Sequence, residues 1–411
     1  MAKVRPFKAI RAPRAFANLV ASRSYQDYSK EELAAKLAYN PYSFLHVLNP
    51  GFRYNKEVTG EQRFQLIRNR YMEFKEDGIY VQDAQAAFYV YRMQTRNHSF
   101  FGIIAGTAAE EYASDMIKKH EETIQRREEL FKDYLKTVGF NAEPVLLTYP
   151  DSQVIAAVTE RVAKVIPDYE FTTQDRITHA LWPITDQETI KVIQDEFEHI
   201  PALYIADGHH RTASSYLLAE DLKAENTDHQ GNEPYNYFMS YLIPESELKI
   251  YEFNRMVKDL NGLTKEEFLM DLDKWFRIEN RGKELYKPSK KHHFSMYLDG
   301  EFYSLYLRKT LYKFTDPLSE LDTQILYKTV LEPILGISDL KNDRRIKYGY
   351  GKYHLLNMKE DIDNGKYAVG FSMIPLNVEE IKAVADAGLT MPPKSTYIEP
   401  KLRSGLTIYE F

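Results

Sequence analysis

The amino-acid sequence predicts a mixed α/β protein (α/β with α+β character) that has two lobes. Apolar segments of strand length are interspersed with amphipathic helical segments up to Pro244, and a hairpin with further helical segments follows it. A chain of 411 residues is long enough to bury a large core and to divide. We therefore expect an α/β lobe over 1–245, a second α+β lobe over 246–390, and a C-terminal segment, 391–411, that docks back on the functional site.

The first lobe carries most of the predicted strands. Residues 29–39 have a serine cap and an acidic first turn, which is typical of a helix. Further helices are predicted over 61–76 and over 108–138, and the second ends before Gly139. A strand is predicted over 202–206, and a helix follows its end to about Leu222. The other predicted strands are 88–93, 101–104, 145–149, 179–184 and 238–243.

The second lobe contains the clearest turn. Asp299-Gly300 joins two apolar segments, 294–298 and 302–307, and this dipeptide suits the type I′ turn of a β-hairpin. Helices are predicted over 268–276, 321–331 and 378–387, the last stopping at Gly388. The segment 391–406 has neither helical nor strand periodicity, and it leads to a strand-like end at 406–411 that we expect to dock on the body.

Composition excludes several classes of function. The chain has no cysteine, which excludes disulfides, thiolate nucleophiles and cysteine-bound zinc. A formal net charge of −6 argues against nucleic-acid binding. No apolar run approaches the ~20 residues of a membrane span. The first 24 residues are basic but lack the apolar core of a secretory signal. We favour a basic N-terminal strand at an anion site over a transit peptide, and expect a cytoplasmic protein.

The most specific motif is YIADGHHRT at 204–212, where an apolar strand ends at a turn and a helix begins. Free backbone N–H groups and the helix dipole favour an anion there, and Gly208 lets the backbone approach it. Arg211 adds donors suited to phosphate, and His209 and His210 can exchange protons near neutral pH. Asp207 can fix a metal or a donor. The alternative is a capped helix start with exposed histidines, but the combination favours a phosphate-binding site.

A second motif is HEET at 120–123. In the predicted helix, His120, Thr123 and Arg127 share one face, and Glu121 lies roughly 100° around the axis. A carboxylate beside these groups can act as a general base or a magnesium ligand. Taken alone, the segment is more typical of a solvated helix with internal ion pairs. Ile124 rules out the HExxH spacing of a zinc protease.

The third cluster lies in the C-terminal segment. Lysines and hydroxyls in a proline-stiffened segment suit phosphate contacts, although the glycine-rich lead of a Walker loop is missing. An ordinary basic tail fits the pattern equally well. The residues are Lys394, Ser395, Thr396, Lys401, Arg403 and Ser404.

Together these segments resemble a bacterial and archaeal family known as domain of unknown function 1015. The matching stretches are NPYSFLHVLNP (40–50), KHEET (119–123), HALWPI (179–184), YIADGHHRTAS (204–214) and MPPKSTYIEPKLRSGL (391–406). The DGHHR element is also similar to the phosphate-binding motif of the ParB and sulfiredoxin-like superfamily. Its relatives include free serine kinases that use ADP, ATP or pyrophosphate, some of similar length. The resemblance implies a ParB/sulfiredoxin-like phosphate-binding core with an additional α/β lobe.

The resemblance also implies an activity, namely reversible phosphoryl transfer between L-serine or phosphoserine and a nucleotide or pyrophosphate, with Mg²⁺. On this reading Glu121 is the base on the serine hydroxyl, His120 lies beside it, Asp207 and His210 take part in catalysis, and Asp207 holds the metal. The residues expected to bind the substrates and phosphates are Gly208, His209, Arg211, Thr123, Arg127, Lys394, Ser395, Thr396, Lys401 and Ser404.

The chain departs from the family pattern near its N-terminus. Family members often carry a Pro-Pro-Tyr-Asp element, and the corresponding stretch here is Arg23-Ser24-Tyr25-Gln26, which lacks the acid. The arginine-containing stretch after Thr123 is also shorter than usual.

Three other functions stay open. The same site could release phosphate from phosphoserine, with water or a nucleotide as acceptor. The chain could be a non-enzymatic nucleotide-binding protein of the ParB type, or a metal hydrolase built on His209 and His210, although adjacent histidines more often point apart. The sequence leaves open the phosphate donor, the acceptor alcohol and the oligomeric state.

Overall fold

The computed structural model describes residues 2–350 and 354–411. The predicted mixed α/β class is confirmed, with sheets and helices in both parts of the chain. The chain divides into two compact units. The first unit runs to Lys118, resumes over Thr123–Leu248 and ends with Pro400–Phe411. The second consists of Lys119–Glu122 and Lys249–Glu399, so residues 391–399 and 400–411 belong to different units.

A mixed sheet forms the centre of the first unit. The strands described in this unit are β1 (Val4–Arg5), β2 (Ile10–Arg11), β3 (Val81–Gln82), β4 (Phe88–Gln94), β5 (Ser99–Ala108), β6 (Ile117–Lys118), β7 (Phe140–Asn141), β8 (Val145–Tyr149), β9 (Tyr169–Thr172), β10 (Thr178–Ile184), β11 (Leu203–Asp207), β12 (Tyr237–Pro244) and, from the tail, the last strand of the chain at Tyr409–Glu410. Among these residues the large sheet has the order β6-β11-β8-β12-β5-β4-β10-β9, with β1 added beside β5. The tail strand pairs with β7.

Helices pack on this sheet and on each other. They are α1 (Ala17–Val20), α2 (Lys30–Tyr39), α3 (Leu45–Leu48), α4 (Gly60–Glu76), α5 (Glu110–Ala113), α6 (Gln125–Val138), α7 (Gln153–Val162), α8 (Gln187–His199) and α9 (His209–Glu225). Helix α8 shows why these segments fold as they do. Asp186 accepts from the backbone N–H of Thr189 as the helix cap, and Ile190, Ile193 and Phe197 share one buried face.

The single long helix predicted over 108–138 is wrong. Strand β5 continues to Ala108, α5 ends at Ala113, and α6 begins only at Gln125. Asp115, with φ 59°, ends the helical turn of α5, and Ile117–Lys118 then pairs with β11 as strand β6, so no continuous helix can form before Gln125. The predicted end is confirmed, since Gly139 terminates α6 in the left-handed conformation.

The second unit has an antiparallel sheet. Its described strands are β13 (Lys249–Tyr251), β14 (Asn254–Val257), β15 (Phe276–Gly282), β16 (His293–Leu298), β17 (Glu301–Leu307), β18 (Ile346–Gly349), β19 (Val369–Ser372) and β20 (Tyr397–Glu399), which makes the tail strand β21. Over the ranges that the structure covers, the sheet order is β15-β17-β16-β19-β14-β18, and β13 pairs separately with β20. The predicted hairpin is confirmed as β16 and β17, with positive φ at both Asp299 and Gly300.

Four helices are described in this unit. They are α10 (Lys265–Asp273), α11 (Asp322–Leu326), α12 (His354–Asp363) and α13 (Val378–Asp386). The helix predicted over 268–276 lies about one turn earlier, because Thr264 caps α10 and Phe276 already belongs to β15. Helix α11 continues as a π-helical turn over Tyr327–Leu331.

None of the helices described in either unit has the length and apolar character needed to cross a membrane.

Candidate functional site

The turn between β11 and α9 is the centre of the candidate site. Strand β11 ends at Asp207, with a register shift between Ile205 and Asp207, and α9 begins at His209. Gly208 lies between them with φ 106°. A Cβ at this position would lie 3.1–3.3 Å from the guanidinium of Arg211. The turn therefore needs glycine for its backbone conformation and for the side chain that lies against it.

Asp207 is held between two cations. The Nζ of Lys401 lies 3.3 Å from Oδ2 of Asp207, and a guanidinium nitrogen of Arg211 lies 3.6 Å from the same oxygen. Burial alone would raise the pKa of Asp207, but the charges of Lys401 and Arg211 outweigh it and lower the pKa below the ordinary value. Asp207 is therefore an ionised carboxylate at neutral pH, and its side chain keeps 42% of its surface exposed.

Arg211 joins the turn to the start of β8. Its guanidinium lies 2.7 Å from Oε1 of Glu143 and donates to the backbone oxygen of Pro144 at 2.8 Å. Ser404 donates to the other carboxylate oxygen of Glu143 at 2.8 Å. Arg211 therefore holds the turn against the residues before β8, and it also contributes positive charge.

The tail residues reach this place through backbone pairing. Ser404 and Ser22 exchange two hydrogen bonds, at 2.9 and 3.1 Å, and the N–H of Gly405 donates to Ala142 at 2.9 Å. Gly405 has φ 75°, and a Cβ there would lie 2.4 Å from the ring of Phe44. These contacts fix the segment that carries Lys401 next to the DGHHR turn within the first unit.

Asp27 is an acidic residue near the candidate site that the family pattern Pro-Pro-Tyr-Asp did not identify. Burial, followed by the negative charge of Glu143, raises its pKa, while the charges of Lys401 and Arg23 act in the opposite direction. The matching tyrosine is followed by Gln26, and the acid comes one residue later, at the end of the 3₁₀ turn Tyr25–Asp27. The sequence indicates Asp27 only through this shift of one residue from the position of the acid in the family pattern.

The two histidines of the motif have different surroundings. His209 is buried, and Nε2 of His210 accepts a hydrogen bond from the backbone N–H of Ile124 at 3.2 Å. An accepting Nε2 corresponds to a neutral ring protonated at Nδ1. This bond ties the start of α9 to the segment before α6, and Ser214 reinforces the pairing by donating to the backbone oxygen of Glu128 at 3.0 Å.

The predicted shared helix face of His120, Thr123 and Arg127 is wrong. Helix α6 begins at Gln125, so only Arg127 is helical, and the HEET segment is irregular. Thr123 and Arg127 belong to the first unit, and Thr123 hydrogen-bonds the side chain of Tyr112. His120 and Glu121 belong to the second unit.

Within the second unit, the HEET segment meets the Lys394 loop. The N–H of Met391 donates to the backbone oxygen of His120 at 2.9 Å. Lys394 has φ 58°, and its Nζ lies 5.7 Å from the ring centroid of Phe253. Ser395 is buried and donates to Pro392 at 2.7 Å. Two segments that lie far apart in the sequence are therefore joined in this unit, and Thr396 lies in the same loop.

A buried arginine supports that loop. Arg255 is 1% exposed and donates to the backbone oxygens of Phe253 at 2.8 Å and Lys394 at 3.4 Å. Burial lowers its pKa to about 10. Arg255 therefore stabilises the loop by holding the carbonyl of the residue with positive φ.

Arg403 has a structural place in the first unit. It is buried, forms an ion pair with Asp175 and donates to Thr173 at 3.4 Å. Beside this pair, His179 contacts the hydroxyl of Tyr91 at 2.7 Å, and burial with the charge of Arg403 lowers the pKa of His179 to about 3. The contacts of Arg403 with Asp175 and Thr173 therefore anchor the tail two residues after Lys401.

Several solved structures are similar to this chain at low identity. A variant of free serine kinase in complex with AMP is 13% identical, with a TM-score of 0.37 and coverage of 75% of this chain and 92% of that chain. SbnI from Staphylococcus aureus, with a C-terminal truncation, is 14% identical, with a TM-score of 0.36 and coverage of 72% and 82%. A conserved hypothetical protein from Pyrococcus furiosus is 15% identical, with a TM-score of 0.35 and coverage of 74% and 95%.

No curated protein matches the sequence. The family model of DUF1015, described as a protein of unknown function, matches residues 4–324. That range contains β11, the DGHHR turn and the whole of α9, as well as the HEET segment. The chain therefore belongs to the DUF1015 family.

Proposed function

We propose that this protein transfers a phosphoryl group reversibly between free L-serine and a donor that is ATP, ADP or pyrophosphate. The observation that carries the proposal is the convergence, within one unit, of the DGHHR turn and Lys401 from the tail. The turn supplies the start of a long helix, where the direction of the backbone N–H groups and the helix dipole favour phosphate oxygens. Lys401 adds a cation on a long side chain at the same place.

This arrangement meets the physical demand of phosphoryl transfer. The transition state spreads negative charge over the phosphoryl oxygens, and fixed donors and cations stabilise it. Gly208, His209 and His210 offer backbone groups at the helix start, and Arg211 holds the turn in shape through Glu143. The charge balance at the turn therefore changes when a phosphate arrives, because Lys401 can move from Asp207 to the phosphate.

Magnesium fits Asp207 on chemical grounds. Mg²⁺ prefers carboxylate and phosphate oxygens, and Asp207 is ionised at neutral pH and partly exposed. We propose Asp207 as its protein ligand. When bound, the ion would neutralise charge on the phosphates of the donor.

The acceptor side of the reaction needs a base. The proton of the serine hydroxyl passes to a carboxylate as the serine oxygen bonds to phosphorus, and the bond from phosphorus to the donor oxygen breaks. The donor leaves as ADP, AMP or orthophosphate. We propose Glu121, with His120 beside it, as this base. Asp27 is a second candidate, because its charge interacts with those of Lys401 and Asp207.

The remaining residues have proposed binding roles. Lys394, Ser395, Thr396 and Ser404 would contact the donor or the serine, with Thr123 and Arg127 near the start of α6. Ser404 already hydrogen-bonds Glu143, so its proposed role includes holding that carboxylate. Lys394 is supported by the buried Arg255 through its backbone oxygen.

The test is a direct assay of products. The purified protein is incubated with Mg²⁺ and L-serine in the presence of ATP, ADP or pyrophosphate, and in parallel with phosphoserine and AMP, ADP, orthophosphate or no acceptor. Phosphorus NMR identifies the products. Phosphoserine formed from serine supports the proposal, and orthophosphate released from phosphoserine without any acceptor would instead identify a hydrolase. No conversion under any condition would contradict both.

A further inference from the structure

A large cavity lies beside the DGHHR turn within the first unit. Its volume is about 600 Å³, and its walls come from the N-terminal loop, the segment before α4, and helices α4, α6 and α9. Packed protein interiors leave few voids larger than one water molecule. The volume also falls in the range of roughly 300–1,000 Å³ that is typical of pockets for whole small molecules. The cavity is therefore large enough to hold a whole small molecule.

The walls of the cavity are mainly aromatic and aliphatic. Phe131 and Tyr134 lie side by side on α6, with ring centroids 5.1 Å apart, and Phe64 of α4 meets Tyr134 edge-on at 5.4 Å. Phe131 and Tyr134 are half-buried, so part of each ring is accessible. Such walls bind a flat apolar group by stacking. They offer little to pyrophosphate or serine, whose charges need cations and hydrogen-bond donors.

One side of the cavity is polar and coincides with the candidate site. Arg211, Glu143 and Ser404 line the cavity, and the same three residues connect the DGHHR turn to the tail. A molecule with its flat end against the rings of α6 would therefore place its charged end at the turn. Asn49 and Arg63 add hydrogen-bonding groups to the lining.

We propose that this cavity binds the base and sugar of a nucleoside phosphate, whose phosphates extend to the DGHHR turn. The inference rests on the proposed phosphotransfer and selects a nucleotide over pyrophosphate as the donor. Phe131 and Tyr134 form the stacking surface for the base. The volume of the cavity beyond the turn can hold a base and a sugar, which pyrophosphate lacks.

The experiment measures binding by calorimetry on the full chain with Mg²⁺. The probes are ADP, GDP, CDP, UDP and pyrophosphate, each titrated without serine. Two variants act on the cavity in opposite ways, since Phe131→Ala removes a stacking ring and Ser215→Leu adds bulk from α9. Phe171→Ala is the matched control, because Phe171 is also a half-buried ring of the first unit but lies outside the cavity.

We expect at least one nucleoside diphosphate to bind, and its Kd to rise roughly tenfold in Phe131→Ala, as when one aromatic partner of a base is removed. Ser215→Leu should also weaken binding, Phe171→Ala should not, and pyrophosphate should bind no better than the nucleotide. In the unaltered chain, the bound nucleotide should slow amide exchange over 130–135 while pyrophosphate leaves it unchanged, a readout that does not depend on the variants folding.

The proposal is overturned if no nucleotide binds, or if the nucleotide Kd is the same in both cavity variants as in the unaltered chain. It is also overturned if bound nucleotide leaves exchange over 130–135 unaltered. Serine phosphorylation by pyrophosphate alone, without nucleotide binding, would contradict the cavity assignment and leave the phosphotransferase standing. Nucleotide binding in the cavity without any formation of phosphoserine would support the cavity assignment and contradict the phosphotransferase.

Discussion

The ammonium group of Lys401 lies 3.3 Å from Oδ2 of Asp207, which joins the C-terminal tail to the turn that ends β11. Backbone pairing of Ser404 with Ser22 and of Gly405 with Ala142 fixes the tail at this point. The ion pair is partly exposed, with 37% of the Lys401 side chain accessible, and adds little stability by itself. Its position suggests a role in charge placement at the proposed phosphate site.

Replacing Lys401 with methionine should therefore affect transfer far more than stability. Loss of the cation that we propose to face the transferred phosphate should lower kcat by about 10²–10³-fold, comparable to the loss of one donor to a developing oxyanion. The free energy of unfolding should change by less than about 1 kcal/mol. Steady-state kinetics and urea unfolding provide the two measurements. Lys223→Met, which removes an exposed lysine 3.8 Å from Glu220, is the control and should leave both values unchanged.

Gly208→Ala should damage both the fold and the activity. The φ of 106° is strained for alanine, and its Cβ would press on the guanidinium of Arg211. We expect a loss of about 1–3 kcal/mol in the free energy of unfolding, together with loss of transfer.

Gly231→Ala separates the effect of backbone strain from that of the contact with Arg211. Gly231 also has a positive φ, 86°, but nothing lies within 4 Å of a Cβ there. This variant should be strained yet keep its activity. Equal activity of the two variants would show that the contact with Arg211 is unimportant.

His179 should make stability depend on pH below neutrality. Burial and the charge of Arg403 lower its pKa in the folded protein to about 3, whereas an unfolded histidine has a pKa of about 6.5. The unfolded chain therefore binds the proton first, and the stability that the neutral ring contributes above pH 6.5 is lost as the pH falls towards 3. At about 1.4 kcal/mol per pH unit, this loss amounts to about 2 kcal/mol between pH 7 and pH 5.

The measurement is the free energy of unfolding at pH 7 and pH 5 for the unaltered chain and for His179→Gln. Other groups titrate in the same range, among them Glu111 and Asp322, whose pKa values burial raises to about 7. The difference between the two chains removes their contribution. We expect His179→Gln to lose about 2 kcal/mol less than the unaltered chain over this interval. The same loss in both chains would show that His179 does not cause the pH dependence.

Two carboxylates compete for the role of base, and one pair of variants decides between them. Loss of a general base typically lowers kcat by about 10²–10⁴-fold. We expect this fall in Glu121→Gln, with a smaller effect on kcat in Asp27→Asn. The reverse order would assign the base to Asp27 and show that the acid missing from the family position is supplied one residue later. Asp77→Asn, at the end of α4, is a control that should match the unaltered chain.

Local patterns in the sequence predicted those parts of the fold that local physics determines. The hairpin at Asp299-Gly300, the end of α6 at Gly139 and the strand, turn and helix around Gly208 were all predicted from turn and cap residues. The prediction of one helix over 108–138 failed because Asp115 has a positive φ and Ile117–Lys118 pairs with β11. A one-dimensional pattern does not contain that pairing.

For the site, too, long-range contacts could not be predicted. The charged motifs were recognisable in the sequence, but the ion pair of Arg211 with Glu143 and the hydrogen bond from Arg255 to Lys394 join residues far apart in the chain. The cavity beside the turn is likewise formed by segments that share no motif. Its aromatic residues could not be recognised as cavity walls from the sequence, because the periodicity of a helix does not show whether a face packs against protein or lines a cavity.

The most direct test of the central claim is the rate of phosphoserine formation in the unaltered chain and in Asp207→Asn, followed by phosphorus NMR with serine, Mg²⁺ and each donor. Asp228→Asn, in the exposed loop after α9, controls for the loss of one negative charge. We expect phosphoserine in the unaltered chain and the control, and none above background in Asp207→Asn, with the free energy of unfolding unchanged. Turnover in Asp207→Asn equal to that of the unaltered chain would contradict this expectation.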